Sequence, residues 1–284
     1  MGGDGMETKV TVVCDNMISR PGLLGQHGLS MVIEKDGESY LFDTGQRLSL
    51  SLNLKALDKN PHSLKKIFIS HGHYDHTGGL KWILRKTGRV EVVAQSSLFS
   101  KHMLADPENP KKLPTFIGVP WGKGDLESLG AEFRFVDRPE EVAPGILFLT
   151  GIEGPAEGKP RDDRLVLQER DRFIGDPVKD DASLILETGK GPVLLLGCAH
   201  SGVLNILDYV REKLGVTKLH ALLGGTHLMF YGLQYIPDFI ERLDRLSVNL
   251  VGVSHCTGLA ATIELAKRLG DKVRVASAGS VFSF

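Results

Sequence analysis

Ile67-Phe-Ile-Ser-His71-Gly-His73-Tyr-Asp75-His76-Thr-Gly-Gly-Leu80 is the stretch that decides how this chain reads. The run Ile67-Phe68-Ile69 has the character of a short buried strand, and Gly78-Gly79-Leu80 opens an amphipathic helix. Between them His71, His73, Asp75 and His76 crowd into six positions. A hydrophobic core has no use for such a polar cluster at a strand end. A metal site has, because neutral imidazole and carboxylate are the ligands that zinc and its neighbours prefer.

The rest of the composition narrows the setting. Lys and Arg number 34 against 35 Asp and Glu, a formal charge of −1, which excludes a nucleic-acid surface spread over the molecule. Three cysteines, Cys14, Cys198 and Cys256, are too few for a disulfide framework and suit a reducing compartment. The opening residues lack the basic and apolar regions of a signal peptide, and no apolar run has membrane-spanning length. A cytoplasmic protein with no membrane partner is expected. No linker divides the chain, so residues 1–284 are expected to form a single domain, with irregular insertions near 97–125 and 150–182 where Pro and Gly concentrate.

Lys9–Cys14, Leu29–Glu34 and Ser39–Phe42 read as strands, the last two joined through the Asp36-Gly37 hairpin signal. Gln46–Leu57 has helical spacing, with Leu48, Leu52 and Leu57 as its apolar positions. Leu165–Gln168, Ser183–Glu187 and Pro192–Leu196 read as further strands. From Gly197 onward strand and helix alternate: helices at Val203–Leu214, Ile236–Leu246 and Leu259–Leu269, strands at Lys218–Leu223, Asn249–Val253 and Val273–Ala276. Three of these strands end in a histidine beside glycine: Cys198-Ala-His200-Ser-Gly202, Gly224-Gly-Thr-His227 and Ser254-His255-Cys-Thr-Gly258. Ligands gather beyond the carboxyl ends of strands in helix-flanked sheets. The 71–76 cluster, His200, His227 and His255 are therefore candidates for one metal-binding rim. His220 falls inside a strand and reads as an ordinary histidine. His62 and His102 receive no role, and His27 stays ambiguous.

His71-Gly-His73-Tyr-Asp75-His76 resembles the His-x-His-x-Asp-His motif of the metallo-β-lactamase superfamily. Asp43, after an apolar strand, is similar to the family's first motif, His200 to its third and His255 to its last. The resemblance extends from about Thr8 to the C-terminus. It implies an α/β fold: a four-layer αββα sandwich, two mixed sheets with helices on the outer faces. It also implies one or two divalent metal ions, zinc foremost and iron or manganese next. By family position His71, His73 and His200 would bind one ion, and Asp75, His76 and His255 the other. Asp43 would orient a ligand histidine rather than bind metal. The family usually places an ion-bridging aspartate at its fourth motif; here that strand end carries His227 and no carboxylate, which implies that one ion is held more tightly than the other.

The expected function is that of a metal-dependent enzyme in which activated water attacks an ester, phosphodiester or related bond, with Asp75 helping to orient the water. The stretches Gly197–Gly202, Gly224–Leu228 and His255–Gly258 are similar to a subfamily described as dihydropterin-methyl transferases of the methanopterin pathway, so a pterin-type transfer is the alternative. A redox di-iron protein is a further class, although such members carry a carboxylate where this chain has His73. A metal-binding protein without turnover is another. The expected partner is a small anionic substrate, for which Arg161, Arg164, Lys111 and Lys112 are the candidate contacts, although each reads first as solvated charged surface. Cys198 and Cys256 read as small buried residues, with a thiolate ligand as the minor option.

Overall fold

The computed structural model describes residues 7–155, 158–160 and 162–284. Arg161, one of the candidate substrate contacts, lies outside the described residues. In chain order the strands are β1 (Lys9–Cys14), β2 (Ser30–Lys35), β3 (Glu38–Phe42), β4 (Leu64–Phe68), β5 (Val90–Ala94), β6 (His102–Leu104), β7 (Thr115–Phe116), β8 (Ala131–Phe135), β9 (Glu140–Ala143), β10 (Ile146–Thr150), β11 (Leu165–Glu169), β12 (Arg172–Gly175), β13 (Ala182–Leu186), β14 (Val193–Leu196), β15 (Ala221–Gly225), β16 (Leu250–Ser254), β17 (Val273–Val275) and β18 (Val281–Ser283). The helices are α1 (Arg47–Ala56), α2 (Tyr74–Thr77), α3 (Leu80–Thr87), α4 (Lys123–Ser128), α5 (Val203–Glu212), α6 (Ile236–Arg245) and α7 (Leu259–Leu269). Among the described residues no helix is long and apolar enough to cross a membrane.

Two large mixed sheets form, ordered β18-β1-β2-β3-β4-β5-β8 and β17-β16-β15-β14-β13-β10-β9. Each is part antiparallel and part parallel. The Asp-Gly hairpin is present: Asp36 and Gly37 both take positive φ, 53° and 80°, the pairing that matches strand twist. Alternation along the strands sorts apolar residues into three buried layers. Val10, Met31, Ile33, Phe42 and Phe68 of the first sheet meet Phe148, Leu184, Leu186 and Leu195 of the second. On the first sheet's outer face Val32, Leu41, Ile67 and Val92 receive Leu50, Leu54, Leu80, Ile83 and Leu84 from α1 and α3. Leu194, Leu196, Leu222 and Val251 receive Val203, Leu207, Phe239 and Leu265 from α5, α6 and α7. Helix, sheet, sheet and helix give the four-layer sandwich.

Several local expectations are corrected. The buried stripe of α1 is Leu50 and Leu54, while Leu48 and Leu52 face solvent at 56% and 50% exposure. Both pairs have the same four-residue spacing, so periodicity alone cannot choose between them. Asn53 decides the rotation, because its amide donates to Val13 O and Leu24 O beneath the helix. His220 lies just before β15, not within a strand, and Gly224 and Gly225 belong to that strand. The two stretches read as irregular are partly joined: β6 and β7 from the first pair with β11 and β12 from the second as a small sheet, β12-β11-β6-β7. Strands of two and three residues are too short to show a period in sequence.

Candidate metal centre

β3 and β4 are parallel neighbours in one sheet, and β14, β15 and β16 in the other. Their carboxyl ends open on the same edge of the sandwich. Asp43 follows β3, the 71–76 cluster follows β4, and Cys198 and His200 follow β14. His227 follows β15 and His255 follows β16. The chain turns sharply there. Asp43, Ala199, His227 and His255 take left-handed φ values of 58°, 58°, 56° and 48°, a conformation costly for residues with a Cβ and common at functional sites. The cluster itself closes with the single turn α2, which swings Asp75 and His76 away from His71 and His73.

Two triads result. His71 Nε2 lies 3.0 Å from His73 Nδ1, and the His200 ring sits 4.7 Å from that of His71 and 5.0 Å from that of His73. Asp75 Oδ2 lies 3.2 Å from His255 Nε2 and 3.7 Å from His76 Nε2, and those two nitrogens are 3.3 Å apart. All six side chains are buried. His227 belongs to neither triad. Its ring lies 4.3 Å from that of His200, tilted by 52°, stacks on Phe230, and groups with Cys198 and Cys256.

Above the triads lies a cavity of about 620 Å³. Met229, Phe230, Ile117, Leu104 and Leu259 make much of its wall, with Tyr74 and His27 at the same surface. Arg164 is the candidate cation that reaches it. Its guanidinium lies 5.2 Å from the Phe230 ring and donates twice to Asp162, at 2.7 Å each. Lys111 and Lys112 are exposed and do not line this cavity.

Residues 24–227 match the family model described as the metallo-beta-lactamase superfamily. The chain belongs to this superfamily. It is 30% identical over 269 residues to a 7,8-dihydropterin-6-methyl-4-(beta-D-ribofuranosyl)-aminobenzene-5'-phosphate synthase of Methanocaldococcus jannaschii, covering 91% of this chain and 90% of that protein. In structure it resembles Tm1679, a metal-dependent hydrolase of the beta-lactamase superfamily, with a TM-score of 0.83 and 24% identity over 97% of this chain and 98% of that one. A zinc-bound PqqB from Methylobacterium extorquens has the same fold, with a TM-score of 0.57 and 11% identity over 97% of this chain and all of that one.

Metallo-β-lactamase folds bind divalent metal, and the hydrogen bonds beneath this site prepare the nitrogens for it. Asp43, fully buried, accepts from Ser70 N at 2.7 Å, Ser70 Oγ at 2.6 Å and His76 Nδ1 at 2.7 Å. A carboxylate only accepts, so His76 carries its proton on Nδ1 and turns the lone pair of Nε2 into the site. Ser70 spends its one proton on Asp43, so His71 Nδ1 donates to Ser70 Oγ at 2.9 Å and its Nε2 is also left free. Asn16 Oδ1 accepts from His255 Nδ1 at 3.0 Å, which fixes the ring so that Nε2 faces Asp75 Oδ2 and donates to it until a cation takes the proton's place. His200 Nε2 is buried with no hydrogen-bond partner. Five imidazoles and a carboxylate aimed into one space, with an orphaned nitrogen among them, fit a metal well.

Several participants have no signal in the sequence reading. Asp15 accepts from His255 N at 2.8 Å, and Asp181 accepts from His200 N and Ser201 N at 3.0 and 2.9 Å. Asp180 accepts from Gly72 N. His102 packs its ring 5.1 Å from that of His73 and pairs with Asp176 at 2.6 Å and Asp180 at 3.4 Å. His27, ambiguous in sequence, brings Nε2 to 3.1 Å from Asp75 Oδ2. A lone Asp in a loop looks like turn chemistry until the fold places it against a ligand's backbone.

Burial, then the neighbouring imidazoles, holds His71 and His200 well below the ordinary histidine range. Burial and then His102 bring His73 down to about 4. These three imidazoles are therefore neutral at physiological pH. Burial also pulls on His255, but the hydrogen bond and charge of Asp75 outweigh it and raise it to about 9. Asp75 is raised by burial and lowered further by His76 and His255, with a net fall well below the usual carboxylate range.

Proposed function

We propose that this protein is a metal-dependent hydrolase acting on an ester or phosphodiester bond of a small anionic substrate with a flat, largely apolar body. The observation that carries this reading is the meeting of two buried ligand triads beneath an apolar cavity whose wall includes Arg164. His71, His73 and His200 would hold one divalent cation and Asp75, His76 and His255 a second, with zinc the best match to the imidazole-rich donor set. Such ions supply Lewis acidity, which brings the pKa of a water molecule from about 15.7 to near 7 and polarises an electrophile.

The chain's own groups do the rest. Asp75 meets its neighbours through Oδ2, which leaves Oδ1 to accept a hydrogen bond from the attacking water. His27, 58% exposed and paired with Asp75, is placed to pass a proton between that carboxylate and solvent. Tyr74 offers its half-exposed ring to an aromatic group, and Arg164, held over Phe230, pairs with an anionic end.

A second reading, group transfer with an organic nucleophile in place of water, is favoured by the Methanocaldococcus relative and by apolar walls that exclude water. The test is a zinc-loaded preparation offered phosphodiesters, esters and lactones, and separately a dihydropterin with a leaving group on its 6-methyl carbon together with an aromatic amine. Hydrolysis that disappears in His73→Ala supports the first reading. Joining of the pterin to the amine without any hydrolytic turnover overturns it.

A further inference from the structure

One atom lies close to both triads. Cys198 Sγ is within 4.8 Å of a ring nitrogen of His71 and of His200, and also within 4.8 Å of a ring nitrogen of His76 and of His255. Its contact with His76 Nε2 is 3.2 Å. A sulfur and an imidazole nitrogen bound to the same tetrahedral zinc stand about 3.6 Å apart, given Zn–S of ~2.3 Å and Zn–N of ~2.0–2.1 Å. Cys256 shares a group with Cys198 and His227 but with no member of either triad. The strand end opposite leaves room for these sulfurs. A Cβ on Gly225 would stand 2.6 Å from Cys256 Sγ and 3.5 Å from Cys198 Cα.

Charge points the same way. Bound through a lone pair, five imidazoles add no charge of their own, so the Asp75 carboxylate would be the one negative charge these six ligands bring to a buried space meant for two dications. Buried charge is tolerated when it is paired, and no carboxylate from the end of β15 supplies more. His200 and His227, which both group with the same sulfur, each keep a buried ring nitrogen without a partner, Nε2 and Nδ1.

We propose that the Cys198 thiolate is a metal ligand shared by the two triads, joining them into one dinuclear centre. As Sγ bonds the two cations its S–H bond breaks and the proton leaves to water through the overlying cavity, which Cys198 lines. The inference rests on reading the triads as metal sites, and the two can fail separately.

The experiment is reconstitution of the metal-free full-length protein with cobalt(II), followed by absorption spectroscopy and metal counting. The parent protein is expected to bind two cobalt ions and to show a sulfur-to-cobalt charge-transfer band in the near ultraviolet. Cys198→Ala loses the band, and its second ion weakens by more than the roughly 10–100-fold that disturbing a supporting residue costs. Cys256→Ser keeps the band. Cys198→Asp, which restores an anion at the same place, recovers two ions without the band and shows that the site still folds. Cobalt bound by the parent with visible bands but no sulfur band overturns the thiolate and leaves the metal centre standing. A band that survives in Cys198→Ala and vanishes in Cys256→Ser also overturns it. A parent that takes up no cobalt overturns both.

Discussion

Replacing Asp43 by Asn tests whether the site's histidines are held in one tautomer from below. Asp43 accepts three hydrogen bonds at 2.6–2.7 Å, two of them on Oδ2, from Ser70 Oγ and His76 Nδ1. An amide nitrogen in place of Oδ2 faces two donors. His76 relieves the conflict by moving its proton to Nε2, which removes the lone pair facing Asp75 and His255. Two charge-assisted bonds become neutral or are lost, a cost of about 2–4 kcal/mol. At roughly 2–4 °C per kcal/mol for a chain of this size, calorimetry of the metal-free variant should show a melting temperature lower by about 4–16 °C. Zinc titration against a chromophoric chelator should show affinity at the Asp75–His76–His255 triad reduced ~10–100-fold, with the other triad changed less. A variant that melts early but binds both ions as tightly as the parent would refute the tautomer argument and leave Asp43 a structural prop.

Other consequences can be measured directly. His102 is raised to about 10 because its hydrogen bonds to the Asp176 and Asp180 carboxylates outweigh its burial, so its contribution is complete below pH ~6.5 and is lost as pH climbs through its folded value; denaturant titrations should show stability falling between those limits, and His102→Gln should flatten that slope. Chelation should lower the melting temperature by at least ~5 °C relative to protein kept at 100 times the dissociation constant of the ion, where binding is worth about 2.7 kcal/mol; equal melting with and without chelator contradicts a bound metal. Gly28→Ala places a Cβ 2.2 Å from Asp75 O at a φ of +136°, which should cost about 2–4 kcal/mol and displace the turn that carries Asp75. Arg164→Ala should weaken phosphate-bearing ligands ~10–100-fold in KM or Ki with kcat little changed, and Asp162→Ala, which frees the guanidinium, should tighten them.

The parts of this protein legible in sequence are those where adjacent residues carry the information. The cluster at 71–76 is dense enough to point to metal chemistry, and the strand-then-histidine pattern marks the strand ends that meet it, His200 and His255 in the triads and His227 beside them. Hairpin and helix signals behave likewise, since turn chemistry and amphipathic spacing act within a few residues. Other features had no such trace. The rotation of α1 depends on an amide bonded across to Val13, 40 residues away in sequence. Asp15, Asp180, Asp181 and His102 gain their meaning from contacts with His255, Gly72, His200 and Asp176, and nothing beside them in the chain hints at it. Cys198 is the clearest case. In sequence it is a small residue two places before a histidine, whereas in the fold its sulfur stands between two triads drawn from both sheets. Residue type and spacing determine which atoms can bind a metal. Only the packing of one sheet on the other decides which of them share one space, because hydrogen bonds and coordination act over a few ångströms and the chain separates these groups by more than a hundred residues.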